Sequence, residues 1–416
     1  MYKVFKFGGA SVKDAEGVKN LKKILEIYKE DKLVVIISAM GKMTNQLEKV
    51  LDSWYYAPDS LHSSFEIVKN FHLDIARQLE NKPEEITAVL LPIFDRLFEI
   101  LSGKNSNNYD KDYDDVVSFG EYLSTQLISI YLNLNGYENK FACAIPLIIT
   151  DDSYREGKVN WEETEKAIQD FVAKHPNKTI ITQGFMGGTT NGKVTTLGRE
   201  GSDFSAAIFA YCLNAESVTI WKDVPGLLNA DPKFYPNAVK LDEISYQEAI
   251  ELAYYGATII HPKTIKPLQN KHIPLFVKSF LAPYDEGSII ADVEPTEKIP
   301  SYIFKTQQIL LSIFPKDFSF IAADNLTKIF SYISKNKLKI NLMQNSAVSF
   351  TICMDNKPNR FALLLKDLEK DFTVKYNTDK KLITIRHYTP EAIEQVIGNQ
   401  PVILEQKSRS TLQVVL

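Results

Sequence analysis

An α/β domain with a largely parallel sheet, followed by a smaller ferredoxin-like α+β region, is the fold this chain's sequence predicts, on three observations. The first two-thirds alternate short β-branched runs with longer amphipathic ones, the pattern of strands and covering helices. Two glycine concentrations fall directly after such strands, where parallel sheets gather ligands. The final stretch of about 110 residues reads β, α, β, β, α, β, the order of a ferredoxin-like unit.

Size and charge bound the function. The 416 residues exceed one core of ordinary size, so two or more domains are expected, and 44% hydrophobic residues supply a large interior. Lys plus Arg number 48 against 52 for Asp plus Glu, a net charge of -4. That balance gives no field for a nucleic-acid partner, so any anion must be bound locally. Cys143, Cys212 and Cys353 are far apart in mostly apolar stretches and lack the spacing of a disulfide framework or zinc site, so they read as reduced core residues. The start "MYKVFKFGG" lacks the apolar run of a signal peptide, and no segment approaches about 18 consecutive apolar residues. A cytoplasmic protein with no membrane partner is expected.

In chain order, "KVFKF" and "LVVIISAM" read as strands flanking the helical "DAEGVKNLKKILEIYKED". Residues 44–135 read as mostly helical, with a charged, Asn-rich break at "SGKNSNNYDKDYDD" expected to be a mobile surface loop. Next come a helix from Glu121 to Asn133, the helix "WEETEKAIQDFVAKH" and the strand "TIITQGF". The helix "FSAAIFAYCLNA", the strand "SVTIWKDV", the helix "SYQEAIELAYYGA" and the strand "IPLFVKSF" complete the first domain, expected over residues 1–298. "GSIIA" is a candidate to return one more strand to it. Prolines and mixed charges between 282 and 306 mark the boundary. Beyond it, one unit is expected over about 305–378 and a shortened second unit over about 379–416, from "KLITIRHY", "TPEAIEQVIG" and an apparent terminal hairpin.

The chemistry concentrates in a few stretches. "KFGGASV" places Gly8 and Gly9 at the exit of the first strand before a helix, where backbone N–H groups, the helix terminus and Lys6 suit a phosphate; a GG pair also serves as a tight turn without ligand. "GFMGGTTNGKVTTLGREGSD" holds six of the 18 glycines, a density suited to close backbone approach or to a hairpin. Arg199 within it offers a fork for a carboxylate or phosphate, and Asp203 is either a ligand or a helix N-cap. Glu121 in "GEYLST" sits where a helix dipole favours a carboxylate, which ordinary capping also explains. Ser38 and Thr44 are caps or ligands. "KDVPGLLNADP" has Asp-containing turns usable for nucleotide hydroxyls or metal, and such turns also occur without function. No GxxxxGK[ST], HRD loop or GxSxG elbow is present, and six histidines without HExxH give no metalloprotease pattern. His261 in "IIHP" reads as structural.

Taken together, KFGGASV, SAMGKMTN, GEYLST, GFMG with TTLGREGSD, DVPGLLNADP and YGATIIHP resemble, in order, the motifs of the aspartate kinase family. The likeness covers essentially the first 290 residues, and six motifs in order make it specific. It implies the amino-acid kinase fold, a three-layer sandwich with a mainly parallel sheet, followed by ACT-type regulatory units that commonly pair two chains into a homodimer. It also implies ATP-dependent phosphorylation of the side-chain carboxylate of L-aspartate, with Mg²⁺, at the head of lysine, threonine and methionine biosynthesis. By motif position, Lys6, Gly8 and Gly9 would stabilise the transferring phosphoryl group, with Asp203 beside them. Arg199 would clamp the α-carboxylate of aspartate and Glu121 its ammonium, with Ser38, Thr44 and Ser202 completing the pocket. Lys222, Asp223, Asp231 and Lys233, together with Lys6 and Gly9, would bind ATP, and no protein metal site is implied.

Several positions depart from the pattern. Glu200 replaces a glycine beside Arg199, Lys222 a threonine, Leu228 a frequent tyrosine, Lys233 an arginine and Thr258 a lysine. In the regulatory region Asn341 and Ala347 stand where lysine-inhibited relatives carry acids, and Ser319 replaces a glycine before the retained Phe320. An amide cannot balance an ammonium, so weak or absent lysine feedback is expected. Two other readings stay open: a kinase for glutamate or acetylglutamate, and a non-catalytic effector-binding protein. The paired KFGGxSV and TTLGRxGSD favour aspartate over the first, and retention of Lys6, Glu121, Arg199, Asp203 and Asp223 argues against the second.

Overall fold

A computed structural model describes residues 1–79, 81–257, 260–294, 298–317 and 319–416, so Thr258 lies outside the described residues. The chain forms two compact units, Met1–Leu227 with Lys240–Ile250 and Ile259–Pro295, and Leu228–Val239 with Glu251–Thr258 and Thr296–Leu416. The segments 228–239 and 251–257, which the sequence groups with the first domain, fall in the second unit.

The first unit is built on one sheet. Across it the strands run Glu243–Ser245, Ser288–Ala291, Leu275–Ser279, Ser217–Lys222, Tyr2–Phe7, Lys32–Ile37, Thr179–Gln183 and Asn139–Ala142. Neighbours pair parallel except Leu275–Ser279 with Ser288–Ala291, so "GSIIA" does return a strand here. Lys32–Ile37 is buried from its second residue onward, as a strand covered on both faces must be. Alternation along Tyr2–Phe7 sorts the faces. Phe5 and Phe7 enter a core with Val35, Ile37 and the helices Ala15–Ile27, Met43–Tyr56, Leu61–Gln78, Pro83–Ser102 and Phe119–Leu134. The other face carries Lys6 and the helix Gly201–Leu213, which is apolar nearly all round because Trp161–Ala173 and Pro262–Asn270 pack against it in turn. Helices thus lie on both sides of the sheet, the layered α/β arrangement the alternating pattern predicts.

Two details differ from the sequence reading. The Asn-rich break is not loop throughout, because Tyr109–Val117 is helical, capped by the Asn108 side chain accepting from Lys111 N at 3.2 Å. Asp112 organises the preceding turn by accepting from Ser106 N at 2.8 Å, Ser106 Oγ at 2.6 Å and Tyr55 OH at 2.6 Å. The short strand Asn139–Ala142 and the helix Pro262–Asn270 are additional. That helix contains Pro267, which masks its pattern, and His261 caps its start, accepting from Lys263 N at 3.2 Å.

In the second unit the six-stranded sheet is antiparallel, in the order Ile340–Asn345, Phe350–Asp355, Ser301–Pro315, Phe372–Arg386, Thr411–Val415 and Leu404–Lys407. The two central strands are each 15 residues long and paired along their length, with register shifts between Lys305 and Leu310. One half, with the helices Ala323–Lys335 and Pro358–Leu368, encloses one core; the other half encloses a second with Tyr302, Ile383, Ile385, Ala392, Leu412 and Val414. The strand Phe372–Arg386 runs through the expected division at 378, and Ser301–Lys305 supplies the strand the shortened second unit lacked in sequence. Among the described residues no helix is long and apolar enough to cross a membrane.

Candidate functional site

Glycines let several strand exits and helix starts of the first unit close on one another. A Cβ on Gly9 would lie 2.6 Å from the carbonyl oxygen of Ala39 and 2.9 Å from that of Gly41, so only glycine lets the turn after the first strand meet the turn after Lys32–Ile37. Gly41 N then donates to Gly9 O at 2.9 Å, and Ser38 N to Phe7 O at 3.2 Å. Gly184, after Thr179–Gln183, would place a Cβ 2.5 Å from Ser202 Cβ, and Gly120 one 2.9 Å from Ala39 Cβ. The close approaches draw the start of Gly201–Leu213 and of Phe119–Leu134 to the carboxyl ends of the central strands.

Three charges meet there. Lys6 is almost buried and forms an ion pair with Asp203 Oδ1 at 2.6 Å, an approach too oblique to count as an aligned hydrogen bond. A Cβ on Gly8 would sit 3.6 Å from Lys6 Nζ, so the glycine leaves the space beside the ammonium clear. Glu121 is 3% exposed; its Oε1 accepts from Ala39 N at 3.2 Å, while its Oε2 is buried without a hydrogen-bond partner. Burial pushes its carboxyl up to about 8, against the opposing pull of the Ala39 N–H and the Lys6 charge. The result is a buried cation held by one carboxylate, next to a second carboxyl that is mostly neutral near pH 7 and has a free lone pair.

The structure links Lys6, Gly8, Gly9, Ser38, Glu121, Ser202 and Asp203 by these contacts. Thr44 is half-buried at the start of Met43–Tyr56. Arg199 is exposed, in a turn where Gly198 has φ +74° and Glu200 φ +54°. The substituted Glu200 therefore occupies a left-handed position that favours the glycine it replaces. Its Oε2 is buried without a hydrogen-bond partner, and its charge acts on Lys263 nearby. Lys263 Nζ donates to Leu197 O under the same turn, and burial lowers its pKa. Lys222 is half-buried at the end of Ser217–Lys222, and Asp223 is exposed just beyond. Asp231 and Lys233 are exposed and belong to the second unit, where Asp231 Oδ1 accepts from Lys233 N at 2.9 Å in a local turn. Leu228, half-buried, also belongs to that unit. Among the described residues no cluster of three His, Cys, Asp or Glu side chains is placed to hold a metal.

Two residues near this site carry no motif signal. Lys263 is one. The other is Asp114, wholly buried, which the sequence hides in a charged run that reads as loop. Only a hydrophobic flank, "VVSF" after it, hinted that this helix turns inward.

Comparison with known proteins matches residues 1–279 to the model of the amino acid kinase family. The chain is 31% identical over 412 residues to aspartokinase 1, chloroplastic, of Arabidopsis thaliana, covering 95% of this chain and 70% of that protein. It is 30% identical to a bifunctional aspartokinase/homoserine dehydrogenase of Buchnera aphidicola, covering 83% of this chain and 43% of that one. Among solved structures, E. coli aspartokinase III in complex with aspartate and ADP superposes with a TM-score of 0.85 at 23% identity, over 100% of this chain and 96% of that one.

Proposed function

Given that the chain belongs to the amino acid kinase family and, within it, to the aspartokinases, we propose that it transfers the γ-phosphoryl group of ATP to the side-chain carboxylate of L-aspartate. The product is 4-phospho-L-aspartate, the first intermediate toward lysine, threonine and methionine. The observation that carries this reading is the buried Lys6–Asp203 pair beside Glu121 under the Gly8–Gly9 turn.

An aspartate carboxylate oxygen attacks the γ-phosphorus, the new O–P bond forms as the bond to the β-phosphate oxygen breaks, and ADP leaves with the electron pair. A carboxylate is already ionised at neutral pH, so no general base is required. The chain's task is positioning and charge stabilisation. Lys6 Nζ, held by Asp203, and the amides of Gly8 and Gly9 face the phosphoryl group as its charge shifts toward ADP. Arg199 takes the α-carboxylate and Glu121 the ammonium, with Ser38, Thr44 and Ser202 lining the pocket. Lys222 and Asp223 at the neighbouring strand exit contact the nucleotide. Mg²⁺ would arrive with the nucleotide and would neutralise charge on its phosphates.

Pairing of two chains through the C-terminal region and a cytoplasmic location belong to the same proposal. The strand Ile340–Asn345 supports the pairing, since it lies at the sheet edge with Met343 51% exposed. A hydroxamate assay with ATP, magnesium and each candidate acid tests the function. Acyl phosphate is expected from aspartate, and turnover of glutamate or acetylglutamate in its place would overturn the assignment.

A further inference from the structure

We propose that Asp114 is a positioning residue for aspartate binding: from the helix Tyr109–Val117 it anchors the end of the strand Val194–Thr196 and thereby fixes the turn that carries Arg199. The inference rests on the reading of Arg199 as the clamp for the substrate's α-carboxylate.

Three donors make four hydrogen bonds to the buried Asp114 carboxylate. Thr196 donates through N at 2.9 Å and Oγ1 at 2.6 Å, and Arg155 N donates to both carboxylate oxygens, at 3.1 and 2.9 Å. Among the described residues no cation forms an ion pair with it. The Arg155 guanidinium turns away, to Asp110 at 3.3 Å and over the Tyr113 ring at 4.1 Å. The adjacent Asp115 adds a like charge, and burial lifts the Asp114 carboxyl to about 6 in spite of its donors. A group so costly to ionise is out of place as a mere filler. Its carboxylate is matched to the task, because an asparagine would turn an NH₂ toward an N–H donor and leave one of them unsatisfied.

The anchored strand needs outside support. Two residues separate Thr196 from Arg199, and in this turn Gly198 and Glu200 both adopt left-handed backbone, which is strained at the non-glycine Glu200. Such a turn holds its shape only if its neighbours impose it. Thr196 O accepts from Gly157 N at 2.9 Å, Leu197 N donates to Phe185 O at 2.8 Å and Lys263 Nζ donates to Leu197 O, so the chain is pinned up to Leu197. Asp114 supplies the pair of bonds at the start of that pinned stretch. Arg199 extends from it into solvent, with its direction set by the backbone beneath.

The test is steady-state kinetics of the full chain with Asp114→Asn, Thr196→Val and Arg199→Ala, varying aspartate and ATP separately and recording thermal melting. Asp114→Asn is expected to raise KM for aspartate roughly 10-fold or more while KM for ATP and kcat stay within about threefold, the scale of losing hydrogen bonds to a charged group. Thr196→Val, which removes one donor, should shift KM for aspartate the same way by about 3–5-fold, and it carries the test if Asp114→Asn does not fold. Unchanged KM for aspartate in both variants, beside a raised value in Arg199→Ala, would overturn the role of Asp114. An equal loss in both substrates and in kcat would mark a general structural part and overturn it too. An unchanged KM in Arg199→Ala would instead remove the reading of Arg199 on which the role depends.

Discussion

Lowering the pH should weaken aspartate binding through one residue, Glu121. Its carboxyl, raised to about 8 by burial, is mostly protonated in the empty site near neutrality. An ammonium placed against its unpartnered Oε2 gains most from the ionised form, so binding has to draw on that minor fraction. With a pKa of about 8 the ionised fraction is roughly one-tenth at pH 7 and one-hundredth at pH 6, and the apparent affinity scales with it. KM for aspartate should therefore rise about tenfold for each pH unit below about 8, over a range where the substrate's own carboxylates stay ionised. Binding at pH 7 should release close to one proton, read from calorimetric heats in buffers of different ionisation enthalpy. Glu121→Gln should abolish both the slope and the proton release. The stability linkage has the opposite dependence. A carboxyl raised in the folded state adds stability that is fully present below its unfolded value near 4.5 and is lost as pH rises through about 8. Glu121→Gln should therefore melt above the parent chain above pH 8 and not below pH 5. A KM for aspartate that stays flat between pH 6 and 7.5, with no proton released, would refute the reasoning.

Other outcomes follow from the same geometry. Gly9→Ala forces a Cβ to within 2.6 Å of the Ala39 carbonyl oxygen, so a loss of about 1–3 kcal/mol in stability is expected by denaturant unfolding, with activity falling further as the two turns separate. Lys6→Ala should lower kcat by about 100-fold or more with KM for aspartate little changed, since it acts on charge in transfer, and the opposite split would reverse the assigned roles. Glu200→Gly removes a left-handed non-glycine residue and a buried, unpartnered carboxylate oxygen, so it should raise Tm; a fall would show that the interaction with Lys263 outweighs both. Added lysine should not inhibit in the micromolar range. Asn341 Oδ1 already accepts from Lys305 Nζ at 2.8 Å, and its amide nitrogen donates to Gln308 and Asp355, both at 2.8 Å, so half-inhibition at micromolar lysine would contradict the reading of this position.

Much of the frame was legible because periodicity and glycine placement act locally. "LVVIISAM" reads as a strand, "FSAAIFAYCLNA" as a helix and Gly8 and Gly9 as glycines at a strand exit, and the structure has a strand, a helix and a tight turn at those places. Proline concealed the helix Pro262–Asn270, and a run of acids and asparagines concealed the helix Tyr109–Val117, because in both cases tertiary packing outweighs a weak local preference.

By itself, the sequence determined the alternation of strands and helices, the ligand-bearing turns and the likeness to aspartokinases, all of which depend on residues close together in the chain. Tertiary structure alone decided the states of the charges. Glu121 becomes a neutral acid because the burial around it comes from residues far apart in the chain. Asp203 becomes the partner of Lys6, 197 positions away, and Asp114 becomes an anchor for Thr196, 82 positions away. Desolvation and Coulomb energy depend on distance in space, and no local pattern encodes which distant residues will share one buried volume.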